Sequence, residues 1–196
     1  MSGLIIHING WPGAGKKTIG TLLAERLQAR FIHNHLLHDV AIVCGGGLET
    51  NERWVLYEQV RAAAYDALLK RPQSELFVMT NALTKETQRE VTAWYQVVDL
   101  AISRQVPLLP VVLEVSPEEN MRRVQSVDRI GRKLAEPQVL QSIISECTLQ
   151  YPDVEETLVF DVTDLEPATA AAQLEMEISR RMIGLKPASP EHLVFR

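Results

Sequence analysis

The run Leu4-Ile5-Ile6-His7-Ile8-Asn9-Gly10-Trp11-Pro12-Gly13-Ala14-Gly15-Lys16-Lys17-Thr18 decides how the rest of the chain is read. Its first part is a short β-rich stretch that stops at a glycine. Its second part sets Gly10, Gly13 and Gly15 around Pro12 and Ala14 and ends in Lys16, Lys17 and Thr18. From Thr18 to Gln28 the apolar residues Ile19, Leu22, Leu23 and Leu27 share one helical face. A strand, a glycine-rich turn and a helix in direct succession let backbone N–H groups curl inward, with the positive end of the helix behind them. Such a cradle suits a chain of phosphates, and Lys16 would reach the outer ones as a point charge. At ordinary composition the Gly, Pro and Lys pattern arises by chance in roughly 2 of 10,000 chains of this length. One feature departs from the general G-x-x-x-x-G-K-[ST] pattern: Lys17 follows Lys16, and the hydroxyl comes one residue later at Thr18.

Outward from this stretch, short apolar runs alternate with longer helical ones. Arg30–His33 reads as a second strand, Leu76–Met79 as a third, Leu108–Val115 as a fourth and Thr157–Val162 as a fifth. Between them lie helical patterns over Asn51–Lys70, Thr84–Arg104, Pro137 to about Gln150, and Ala168–Met182. Ser116-Pro117-Glu118-Glu119 is a strong helix start: a capping hydroxyl, a proline in the first turn and acids at the positive end. Residues 39–50 are ambiguous, and Gly45-Gly46-Gly47 reads as a flexible turn. The tail 184–196 is expected to be a loosely held arm. Strands alternating with helices predict an α/β fold, a parallel sheet covered by helices on both faces. In open sheets of this kind ligands bind beyond the carboxyl ends of the strands.

The 196 residues, 46% hydrophobic and 23% charged, suit a single domain. The net charge of −5, with no dense Lys/Arg block, argues against non-specific binding to nucleic acid or anionic membranes. Cys44 and Cys147 are far apart in no metal-ligand spacing, as expected of ordinary thiols in a reducing compartment. Met1–His7 has no basic n-region or long apolar run, and no stretch approaches the roughly 20 apolar residues that span a bilayer. A cytoplasmic protein with a small-molecule partner is the expectation, and a homodimer is compatible with it.

Three short segments after the strands carry side chains fit for chemistry. The second strand ends in His33-Asn34-His35-Leu36-Leu37-His38-Asp39. Arg53, in Leu48-Glu49-Thr50-Asn51-Glu52-Arg53-Trp54, could pair bidentately with a carboxylate or phosphate. Asn81, in Asn81-Ala82-Leu83-Thr84, is placed to hydrogen-bond a hydroxylated ligand.

The loop, with its hydroxyl at Thr18, resembles that of adenylate kinases and related small-molecule kinases. There the later Thr faces the phosphates and the metal is held largely through water. The resemblance implies ATP and Mg²⁺, with Thr18 contacting the metal through water. No N-K-x-D guanine motif is present, which argues against a GTPase. Asn34-His35-Leu36-Leu37-His38 resembles the G-D-x-L-H segment of gluconate kinases, members of the shikimate-kinase-like group. Leu48–Trp54 is similar to their L-x-D-x-D-R-W, and Asn81-Ala82-Leu83-Thr84 to their S-A-L-K. The order and spacing agree over about residues 4–165. Nucleoside monophosphate kinases instead carry D-G-[FY]-P-R after the third strand, where this chain has Thr80-Asn81-Ala82-Leu83.

This likeness implies a three-layer P-loop NTPase fold with a five-stranded parallel sheet and a small lid at about 126–136. It also implies an acceptor-binding region at about 34–70, with His35, His38, Arg53 and Asn81 as acceptor contacts. Where these kinases carry an Asp that accepts the proton of the acceptor hydroxyl, the chain has His35. The base is then His35, Asp39 one helical turn on, or no residue at all. Arg123 stands seven residues after Ser116, at the nucleotide-contacting Arg of the adenylate-kinase-like pattern, and Arg129 and Arg132 are the lid candidates. With Lys16 these arginines would stabilise charge on a transferred phosphoryl group. The implied activity is ATP-dependent phosphorylation of a hydroxyl on a small polar metabolite, with a sugar acid as one candidate. An antibiotic-modifying phosphotransferase, a nucleoside monophosphate kinase, and an ATP-binding regulatory module without transfer activity are the alternatives.

Overall fold

Strand β1 (Ile5–Asn9) is buried along its whole length, and its two faces differ in chemistry. Leu4, Ile6 and Ile8 point to one side, where helices α1 (Lys16–Leu27) and α7 (Pro167–Met182) supply Ile19, Leu23, Leu174 and Ile178 to a wholly apolar core. Ile5, His7 and Asn9 point to the other and become polar toward the carboxyl end. Each fully buried Leu or Ile contributes about 1.5–3 kcal/mol by leaving water. The apolar face therefore fixes the register, and the polar residues are left where a ligand would bind.

The protein is described by a computed structural model over residues 3–45, 51–125, 137–149 and 157–189. Strands β1, β2 (Arg30–His33), β3 (Phe77–Thr80), β4 (Leu108–Glu114) and β5 (Leu158–Asp161) form one sheet in the order β2-β3-β1-β4-β5. Every pairing is parallel, with Ile5 opposite Phe77 and Leu108. Helix α4 (Gln88–Arg104) covers the face opposite α1 and α7, packing Trp94, Val97, Val98 and Ala101 on Phe77 and Met79. The expected three-layer α/β fold is therefore present. No helix among the described residues is long and apolar enough to cross a membrane, and Cys44 and Cys147 are free thiols.

Three local readings differ from the structure. The ambiguous stretch after β2 is a helix, α2 (Asn34–Cys44), which buries Leu37 and Ala41 against Trp54 and Tyr57 of α3 (Asn51–Leu69). Its exposed Leu36, Val40 and Val43 blurred the amphipathic pattern. Gly45 closes α2, and Gly46 and Gly47 lie outside the described residues. Helix α4 starts at Gln88 and not Thr84, because Thr87 caps it by accepting from the Glu90 N–H, while Thr84 bridges to Leu149 beyond α6 (Pro137–Glu146). The tail is anchored over its described part: the Ala188 N–H donates to the Val106 carbonyl at 3.1 Å. The predicted start of α5 (Pro117–Val124) is found as read, with Ser116 accepting from the Glu119 N–H and Pro117 in the first turn.

Candidate active site

The glycine-rich turn runs from the end of β1 straight into α1. Gly13 has φ +97° and Gly15 φ +85°, conformations that strain any residue with a Cβ. A Cβ on Gly13 would also fall inside van der Waals contact with Asn120 and Val124 of α5. Helix α1 begins at Gly15 with no side-chain cap and no acid in its first turn. Its leading N–H groups therefore form a positive end that no acid of its own first turn offsets. Nζ of Lys16 donates to the carbonyls of Gly10 at 2.5 Å and Trp11 at 2.9 Å, curling over the same turn. These features fit a bound polyphosphate.

A cavity of about 750 Å³ opens over this turn. Its floor is Pro12, Gly13 and Gly15–Ile19; its walls are the start of α2, the exit of β3, the outer face of α5 and the β5–α7 turn. Gly13, Gly15, Lys16, Lys17, Thr18, His35, Asn81 and Arg123 all line it, so the structure brings most of the predicted residues together. Pro12 lines it too, whereas Gly10 and Ala14 build the turn from behind, Ala14 fully buried with its N–H on the Trp11 carbonyl. Arg129 and Arg132 lie outside the described residues.

The predicted acceptor residues separate into two layers. His35 sits in the first turn of α2, half exposed, with Nδ1 4.0 Å from Asp39 Oδ1. Asn81 follows β3 directly, buried, its backbone N–H on the Ile8 carbonyl at 3.1 Å. His38 and Arg53, also expected to contact a ligand, are not among the residues that line the cavity. The ring of His38 stacks on Tyr57 with centroids 3.9 Å apart and 10° between planes. Burial is the main cause that lowers its pKa to about 4, aided by the charges of His35, Arg53 and Arg61. The Arg53 guanidinium lies 3.9 Å from the Trp54 ring centroid, and that of Arg89 lies 3.8 Å from it. Both residues are held by aromatic rings of the α2–α3 pair, which seats the turn that carries His35.

Arg123 is held as well. Its Nε donates to Glu119 Oε1 at 2.7 Å, and its Nη2 to the carbonyls of Val162 and Thr163 at 2.8 and 2.9 Å. It thus ties α5 to the β5–α7 turn along one rim of the cavity. The Glu119 carboxyl is pulled down to about 2 by hydrogen bonds from Arg122 and Arg123. Asp161 is also lowered, chiefly by the Thr163 hydroxyl and N–H, which close the turn after β5. Among the described residues no group of three or more His, Cys, Asp or Glu side chains is gathered to hold a metal ion. The Thr18 hydroxyl would contact a phosphate-bound Mg²⁺ through water.

Sequence reading missed several contributors. Asn34 lines the cavity and accepts the Tyr57 hydroxyl proton at 2.6 Å. Asn9 accepts the Gly10 and Leu83 N–H groups, each at 2.9 Å, and donates to the Leu83 carbonyl at 3.0 Å. It ties the phosphate turn to the loop after β3. Alternation along β1 was the signal for it, since a polar residue in a buried strand needs a partner.

No protein-family model and no curated protein matches the chain. Solved structures do. A gluconokinase from Sinorhizobium meliloti 1021 has a TM-score of 0.53 at 24% identity, over 90% of this chain and 95% of that one. Shikimate kinase from Acinetobacter baumannii in complex with shikimate gives 0.52 at 18%, over 91% and 92%. A sugar kinase from Janibacter sp. HTCC2649 gives 0.51 at 17%, over 97% and 98%. The fold is therefore that of the P-loop small-molecule kinases, with a gluconokinase and shikimate kinases among its structural neighbours.

Proposed function

We propose that the protein is a kinase that transfers the γ-phosphoryl group of ATP to a hydroxyl of a small polar metabolite, a sugar acid being the favoured class. One observation carries this reading: the phosphate turn and the pair His35 and Asn81 face each other across a single cavity of about 750 Å³. That volume holds a nucleotide and a small acceptor together. The neighbours described as gluconokinase, shikimate kinase and sugar kinase support the same class of acceptor.

In this reading the amides of Gly13–Thr18 and the Lys16 ammonium hold the β- and γ-phosphates, and the rim tied by Arg123 borders the base. Thr18 would hold a Mg²⁺ through water, and the ion would supply neutralisation of phosphate charge. Asn81 and His35 hold the acceptor so that its hydroxyl oxygen lies in line with the γ-phosphorus. A new O–P bond forms as the bond to the β–γ bridging oxygen breaks, and ADP leaves. The hydroxyl proton passes to His35, to Asp39 or to solvent. A loose transition state of this kind needs positioning and cations more than a strong base, which is why His in place of Asp is compatible with transfer. His38 and Arg53 act behind His35 by seating α2 on α3. Arg129 and Arg132 are proposed to meet the transferred group when the lid closes.

ADP release from Mg-ATP, measured alone and then with sugar acids, shikimate, nucleoside monophosphates and hydroxylated antibiotics, tests the proposal. Release that requires one sugar acid supports it. Release driven by another member reassigns the acceptor. ATP binding without any acceptor-dependent release favours a regulatory module.

A further inference from the structure

His7 stands in the middle of β1, on the face covered by α4, and is 2% exposed. Its Nε2 lies 3.1 Å from Oδ1 of Asn81, and its ring meets Trp94 edge-on with centroids 5.3 Å apart. Burial lowers its pKa to about 4. At neutral pH one ring nitrogen therefore carries a proton and the other a lone pair. Asn81 is pinned twice, by this contact and by its own backbone N–H on Ile8. Its Nδ2 makes no hydrogen bond in the described structure, and the residue lines the large cavity.

We propose that His7 is a positioning residue: its Nε2–H donates to Asn81 Oδ1 and so turns the Asn81 amide NH₂ toward the acceptor. The group recognised there is then an oxygen lone pair, from a carboxylate, carbonyl or hydroxyl, and not an ammonium or amide N–H. The acceptor's part in this rests on the kinase reading; the placement of the proton does not.

Two observations set the sense of the hydrogen bond. The indole Nε1 of Trp94 is buried without a partner and can only donate. Trp94 and His7 line the same small cavity of about 10 Å³, close to the room one water needs. A water there would accept from the indole N–H and donate to Nδ1, which leaves the ring proton on Nε2.

The first test is long-range ¹H–¹⁵N NMR of the histidine rings in the full ¹⁵N-labelled chain, with His7→Gln to assign the signal. The expected result is a neutral ring protonated at Nε2, unchanged from pH 7 to about pH 5. A ring protonated at Nδ1, or an imidazolium at pH 7, overturns the proposal. The second test is kinetic, with gluconate as the acceptor. His7→Leu should raise the gluconate KM about tenfold or more with the ATP KM within about twofold, and His7→Gln, which keeps an N–H at similar reach, should recover most of it. An unchanged gluconate KM in His7→Leu, or an equal loss in both variants, overturns the positioning role. If wild type releases no ADP with gluconate, the sugar-acid reading fails, and the NMR result alone decides the proton placement.

Discussion

Nζ of Lys16 lies 2.5 Å from the carbonyl oxygen of Gly10, so the ammonium closes on the turn that presents it. Two backbone oxygens, those of Gly10 and Trp11, thus hold the ammonium in the free protein. In the proposed kinase, nucleotide binding would exchange these oxygens for the more negative oxygens of a phosphate. Lys16→Ala should therefore lower ATP turnover by about 10²-fold or more, while leaving thermal stability nearly unchanged. ADP release and a melting curve on the same preparation check both halves. Near-normal turnover would remove Lys16 from the nucleotide site.

Gly13 couples the turn to α5. Its φ of +97° and the closeness of Asn120 and Val124 leave no room for a side chain. Gly13→Ala should destabilise the fold by about 2–4 kcal/mol, from left-handed backbone strain plus overpacking. Urea unfolding measures this directly. A change under about 0.5 kcal/mol would mean that α5 does not rest on the turn as described.

His7 and His38 are both lowered from 6.5 to about 4, mainly by burial. Between these values the unfolded chain binds protons that the folded chain does not. Stability should be level above pH 6.5 and should fall as the pH drops from 6.5 toward 4, with a limiting slope of about two protons. Glu75 and Glu119, both near 2, add their own loss only below about pH 4.5. Replacing His38 by Phe keeps a ring on Tyr57 and should remove about one proton of that slope. Urea midpoints at several pH values read it. Equal stability at pH 7 and pH 4.5 would contradict the burial of both rings as neutral groups.

His35 lines the cavity, and its Nδ1 lies 4.0 Å from Asp39 Oδ1. His35→Asn should lower turnover about tenfold or more while the ATP KM stays within about twofold. Asp39→Asn separates the roles. If His35 takes the proton and Asp39 orients it, the second variant shows a smaller loss in the same direction. An unchanged rate in His35→Asn would reduce His35 to a residue of the first helical turn.

What the amino-acid sequence disclosed follows from how local each signal is. Gly13, Gly15 and Lys16 carry their conformation and charge within six residues of chain, so the phosphate turn and β1–α1 were legible at once. Ser116-Pro117 marked the start of α5 for the same reason. Helix α2 was not legible, because Leu36, Val40 and Val43 expose the apolar groups that periodicity counts as buried. The acceptor half was harder still. Arg53 and His38 have the right chemistry, yet Trp54 and Tyr57 hold them beside the cavity by ring contacts that composition does not signal. His7 and Asn81 meet across 74 residues, a pairing that only the parallel register of β1 and β3 creates.

The most direct measurement is acceptor-dependent ADP release from Mg-ATP by the purified full chain. Release from ATP alone should be negligible, should rise at least about a hundredfold with one hydroxylated acid, and should lose that rise in Lys16→Ala. Release that is independent of every acceptor, or undiminished in Lys16→Ala, would contradict the kinase reading.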